Sequence, residues 1–132
     1  MQISCGTDII EIERIKESIE SLGENFLNKI YTKNEISYCE SKKKMKYQHY
    51  AARFAAKEAI FKAISKILED KYSITWKDVE IINDKNGRPK VIFLNKEYQE
   101  IQDIDISISH CKEFAVSNVV IILKKQELHI DL

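Results

Sequence analysis

The chain has 132 residues, 44% of them hydrophobic and 32% charged, the balance of one soluble globular domain rather than of a disordered or fibrous chain. Its 21 Lys and Arg offset its 21 Asp and Glu, so no global charge draws it to nucleic acid, and no apolar run approaches the roughly 18 residues of a membrane span. With no basic-then-apolar leader the sequence reads as cytoplasmic, and the scattered Cys5, Cys39 and Cys111 read as reduced structural thiols rather than a disulfide or metal framework.

Residues 3–12, ISCGTDIIEI, begin as a β-type run around Gly6. From Ile12 the apolar residues Ile12, Ile15, Ile19 and Leu22 recur at helical spacing, and Gly23 ends that helix. ENFLNKIYT (24–32) predicts a short helix, and Thr32 with Glu35 three residues on is a capping-box pattern that starts another. The longest helix is expected from about Tyr47 to Leu68. WKDVEIIND (76–84) and KVIFL (90–94) predict two strands closed into a hairpin by DKNG (84–87), with Pro89 just past the turn. NKEYQEIQ (95–102) is weakly helical in pattern. DIDISISH (103–110) alternates strictly and EFAVSNVVIIL (113–123) is almost continuously apolar, so they are expected as adjacent strands joined at Cys111–Lys112, the second buried on both faces. Helices first and hairpin strands later make the expected fold class α+β, in a single domain spanning 1–132.

Three charged residues stand out against this pattern. Glu58 and Lys62 lie four positions apart on one face of the long helix. A solvated ion pair worth about 0.3–0.5 kcal/mol is the plain reading. Yet Glu58 shares its stripe with Phe54 and Phe61, where a carboxylate is expensive to desolvate without a compensating cation or ligand. Asp8 interrupts an apolar strand and is either a helix N-cap or a ligand for a hard cation. Mg²⁺ is commonly held by one or two carboxylates, with substrate phosphates and waters completing its shell, and Asp8 with Glu58 would supply such a pair. His110 ends the alternating strand, and with Ser107 and Ser109 it offers small donors to a phosphate, or is simply structural. Arg53, Lys57 and the upstream KKKMK face either a polyanion or water. The sequence holds no GxxxxGK[ST], GxGxxG or HExxH pattern.

Four segments together carry a family resemblance: GTDIIEIERI (6–15), RFAAKEAIFKA (53–63), WKDVEIINDKNGRP (76–89) and ISISH (106–110). In this order and spacing, over nearly the whole chain, the sequence resembles the holo-[acyl-carrier-protein] synthases, the small trimeric type of 4′-phosphopantetheinyl transferase. The resemblance implies that family's fold, an antiparallel sheet packed against one long helix and shorter N-terminal helices. It also implies transfer of the phosphopantetheine arm of coenzyme A to a serine of apo acyl carrier protein, releasing adenosine 3′,5′-bisphosphate, in service of fatty acid biosynthesis. By the same resemblance Asp8 and Glu58 hold Mg²⁺, and Lys62 sits beside the pyrophosphate as a catalytic partner of those two carboxylates. Arg53, Lys62, Pro89, Ser109 and His110 lie about coenzyme A, and Arg14 grips the acidic carrier protein. A homotrimer with active sites between subunits is expected, and neither nucleic acid nor membrane is an expected partner. A carrier-binding module that has lost turnover is the alternative reading. Residues 64–75, ISKILEDKYSIT, lack the glycines that many relatives carry there, and Cys111 stands where Thr is usual. Both changes concern the edges of the expected coenzyme A pocket.

Overall fold

The computed structural model of the chain describes residues 1–70 and 72–125. The described residues form the strands β1 (Gln2–Glu11), β2 (Val79–Asn83), β3 (Pro89–Phe93), β4 (Ile101–His110) and β5 (Phe114–Leu123). They also form the α-helices α1 (Ile12–Leu22), α2 (Glu24–Ile30), α3 (Lys33–Glu40) and α4 (Lys46–Ile64). The strands form a three-stranded antiparallel sheet, β1-β5-β4, and a separate β2-β3 hairpin. This is the α+β architecture expected from the sequence.

Helix α4 is the axis of the molecule, and small residues make that position possible. Ala51, Ala52, Ala55, Ala56, Ala59 and Ala63 are all buried, so the sheet can lie close along the helix. Gly6 of β1 has no Cβ at the point where its strand meets the α4 backbone. The Ser4 hydroxyl of β1 donates to the Ala63 carbonyl at 2.6 Å, occupying one of the carbonyls that a helix C-terminus leaves unbonded. Two apolar clusters result. One joins the C-terminal half of α4 to β2, β4 and β5; the other joins its N-terminal half to α1, α2 and α3.

Several local signals act as their chemistry dictates. Gly23, at φ +58°, ends α1 with its N–H on the Ile19 carbonyl. Thr32 and Glu35 form the reciprocal capping box at the start of α3, and Asp84 receives the N–H groups of Asn86 and Arg88 to close the β2-β3 turn. Other expectations need correction. Helix α4 stops at Ile64 and tightens into a 3₁₀ turn at Ser65–Ile67 instead of running on to Leu68. Residues 95–100 are irregular and Ile101 already belongs to β4, because Asn95 bonds the Asp78 carboxylate and Tyr98 packs on Phe93 at 5.1 Å. Those tertiary anchors override a weak helical propensity. Strand β5 is not buried on both faces. Ala115, Ser117, Val119, Ile121 and Leu123 face α4, while the alternate residues line an outer face that is exposed or half-buried among the described residues.

Candidate active site

Strand β1 delivers Asp8 to the flank of α4, opposite Ser117 in the β1-β5 register. The N-cap of α1 is Glu11, without a side-chain hydrogen bond, so capping does not account for Asp8. On α4, Phe54, Glu58, Phe61 and Lys62 form the stripe that stays partly open. Lys62 reaches across to β1 and donates from Nζ to the Thr7 carbonyl at 2.9 Å and to Asp8 Oδ1 at 3.1 Å. Asp8 and Glu58 both line a cleft of about 750 Å³ between β1, α1 and α4, which also takes in Arg14, Phe26, Phe54 and Phe114.

The cleft brings two carboxylates together with a nearby ammonium. Burial raises the Glu58 pKa above the usual carboxylate range, the charge of Asp8 raises it further, and Lys62 pulls the other way. A carboxylate that is half-desolvated and repelled by a second carboxylate is stabilised by a hard cation placed between the two. Two oxygen donors of this kind suit Mg²⁺ when phosphate oxygens and water supply the rest. No group of three or more His, Cys, Asp or Glu suited to a metal occurs among the described residues, so Asp8 and Glu58 stand as a two-carboxylate pair.

The other sequence-derived candidates lie elsewhere in the chain. Arg53 is buried. Its guanidinium stacks over Tyr38 at 4.0 Å and donates to Asn83 Oδ1 at 2.7 Å, leaving Nε without a partner. His110 meets His49, ring to ring, at 5.6 Å, and His49 in turn meets Tyr38 at 5.5 Å. Burial, then His110, Lys42 and Arg53, lower the His49 pKa to about 4, so His49 is neutral at pH 7 in a patch of cationic neighbours. Pro89 opens β3 and borders a groove with Asp103 to Ile106 of β4. Ser109 and Ser107 point to the outer sheet face, away from α4, because the side chains of a strand alternate. His110 and Ser109 therefore do not share one face.

Sequence reasoning placed Lys57 before a polyanion or water, and the structure corrects this. Its side chain is 0% exposed and pairs with an equally buried Glu35 at 2.7 Å. Arg53, grouped with it, does not face water either, at 4% exposure. The thiols also divide, with Cys39 buried and Cys5 and Cys111 exposed. His49, Glu35 and Trp76 had no sequence signal as site neighbours beyond the capping box that includes Glu35.

Comparison with known proteins gives this arrangement its class. Residues 4–119 match the family model of the 4′-phosphopantetheinyl transferase superfamily, and the chain belongs to that family of transferases. It is 45% identical over 129 residues to a holo-[acyl-carrier-protein] synthase of Ruminiclostridium cellulolyticum, covering 93% of this chain and 94% of that one. It is also 45% identical over 122 residues to one from Protochlamydia amoebophila, covering 91% and 98%. Among solved structures it resembles the holo-(acyl-carrier-protein) synthase of Bacillus anthracis in complex with CoA (3′,5′-ADP). That likeness has 35% identity and a TM-score of 0.74, covering 89% of this chain and 94% of that one. The Helicobacter pylori enzyme in complex with coenzyme A is similar at 29% identity and a TM-score of 0.77, covering 89% and 99%.

Proposed function

We propose that this protein transfers the 4′-phosphopantetheine group of coenzyme A to a serine of apo acyl carrier protein, with Mg²⁺ as cofactor, and so supplies the carrier for fatty acid biosynthesis. The observation that carries the proposal is the presence of Asp8 and Glu58 in one cleft, with Lys62 paired to Asp8, in a chain whose relatives are holo-[acyl-carrier-protein] synthases.

In the reaction the serine oxygen attacks the phosphorus that bears the pantetheine arm. A new P–O bond forms, the bond to the second phosphate breaks, and adenosine 3′,5′-bisphosphate leaves with the electron pair. Such transfers depend on positioning and charge stabilisation more than on covalent help from the protein. Asp8 and Glu58 would hold the Mg²⁺, which supplies neutralisation of the pyrophosphate oxygens. Lys62, anchored on Thr7 and Asp8, carries an ammonium where charge grows on the leaving phosphate. Glu58 accepts the serine proton, directly or through a water. Arg14, at the rim of the same cleft, offers a cation to an acidic carrier.

Three of the chain's other candidate residues fit a site shared between protomers. His110, Pro89 and Ser109 lie on separate patches of one chain, and a homotrimer would let patches of neighbouring chains face each other. The outer face of β1 and β5, where Ile3, Ile9 and Val120 are exposed among the described residues, supports that assembly.

The test is an intact-mass measurement of apo acyl carrier protein incubated with this protein, coenzyme A and Mg²⁺. A gain of one phosphopantetheine, lost on adding EDTA, is expected. Glu58→Gln should reduce transfer by at least about 100-fold while coenzyme A still binds. An unmodified carrier that nonetheless binds the protein would favour the module without turnover, and wild-type transfer by Glu58→Gln would remove Glu58 as the base.

A further inference from the structure

Lys57 precedes Glu58 and has no part in the chemistry above, yet it is among the most completely bonded side chains in the molecule. An ammonium has three donors, and Lys57 Nζ has three acceptors: Glu35 Oε1 at 2.7 Å, the Ile30 carbonyl at 2.8 Å and the Trp76 carbonyl at 2.9 Å. These come from α3, from the end of α2 and from the 3₁₀ turn that leads into β2. Glu35 is equally committed. Oε1 also accepts the Thr32 N–H at 2.9 Å, and Oε2 accepts the Ile81 N–H of β2 at 2.8 Å. One buried ion pair thus ties four segments to α4.

Each tie leads back to the cleft. Successive residues of an α-helix point about 100° apart, so fixing the direction of Lys57 fixes the direction of Glu58. One of the two carbonyls that Lys57 holds belongs to Trp76, whose indole stacks on Phe54 at 4.9 Å and 25° and meets Phe61 edge-on at 5.2 Å. Phe54 lines the cleft beside Glu58. A buried ion pair adds little stability over apolar residues of the same shape, so stability alone gives weak grounds for one at this place.

We infer that the buried Lys57–Glu35 pair is a positioning device for the active site, setting the direction of Glu58 and holding the Trp76–Phe54 wall of the cleft. This rests on the transferase reading above. Trp76 is the protein's single tryptophan, so its emission reports on that wall directly, without reference to activity.

The test compares wild type, Glu35→Gln, and the double variant Lys57→Met/Glu35→Gln, using circular dichroism, Trp76 emission without ligand, and steady-state transfer. The expected double variant is folded, with a red-shifted emission, a kcat at least 10-fold lower and a KM for coenzyme A changed less than 3-fold. Glu35→Gln keeps one acceptor oxygen for Lys57 and the Thr32 N–H but turns an NH2 donor onto the Ile81 N–H, and should recover only part of the kcat. Folded variants with wild-type emission would overturn the positioning role whether or not the wild type transfers phosphopantetheine. Altered emission with wild-type kcat would overturn it as well, and so would failure of both variants to fold, which would make the pair a requirement of folding alone. If the wild type itself fails to transfer, the transferase reading falls, and the emission still decides whether the pair holds the wall.

Discussion

At Gly6 the strand that carries Asp8 comes against the backbone of the helix that carries Glu58. A Cβ there would lie 2.0 Å from the Ala59 carbonyl oxygen and 2.9 Å from the Ala63 nitrogen, and neither atom belongs to a side chain that could rotate away. Gly6→Ala is therefore expected to destabilise the fold by about 3 kcal/mol, the upper range for overpacking, and urea unfolding would measure it. The folded fraction should also transfer poorly, since β1 must move off α4 and take Asp8 with it. At this scale charges in apolar surroundings and a family pattern marked Asp8, Glu58 and Lys62 as candidates, and the structure pairs Lys62 with Asp8 and sets Asp8 and Glu58 in one cleft. Lys57 was not. A lysine between Ala56 and Glu58 reads as a solvent-facing charge, and its partner Glu35 lies 22 positions upstream, beyond any local pattern.

Among the elements, the start of α3 shows how one side chain serves two neighbours. Thr32 Oγ1 accepts the Glu35 N–H at 3.2 Å and donates to Glu80 Oε2 of β2 at 2.5 Å. Glu80 is itself buried. Thr32→Ala removes a cap and leaves that carboxylate with only the longer contact to Asn34, for an expected loss of about 2 kcal/mol. Thr32→Ser should retain most of it, and the two variants can be compared by chemical denaturation. The capping box and the Asp84 turn were readable because their information lies within a few residues. The segment at 95–100 was misread because Asn95 and Tyr98 take their conformation from Asp78 and Phe93, across the hairpin.

For the whole molecule, the outer face of the β1-β5-β4 sheet is the dominant feature. Ile3 pairs with Ile122, Cys5 with Val120 and Ile9 with Val116 on that side, and Ile9 remains 64% exposed. Val120→Asp places a charge in the middle of this surface without touching α4. Sedimentation velocity is expected to show an oligomer for the wild type and a monomer for the variant, with transfer falling at least 10-fold if neighbouring chains complete each site; a wild-type monomer would remove the proposed assembly. The near-continuous apolar run of β5 suggested burial on both faces because the sequence does not say whether a face is covered by its own chain or by another. The pairing of β1 with β5 was equally hidden, since strands more than a hundred residues apart carry no mutual signature. That pairing also fixes what holds Asp8 in place. Its strand is clasped between two segments from distant parts of the sequence, α4 through Ser4–Ala63 and Lys62–Thr7 on one side and β5 through the whole length of its ladder on the other. A loosening of β5 anywhere along that ladder would therefore be felt at Asp8, though the two are more than a hundred residues apart in sequence.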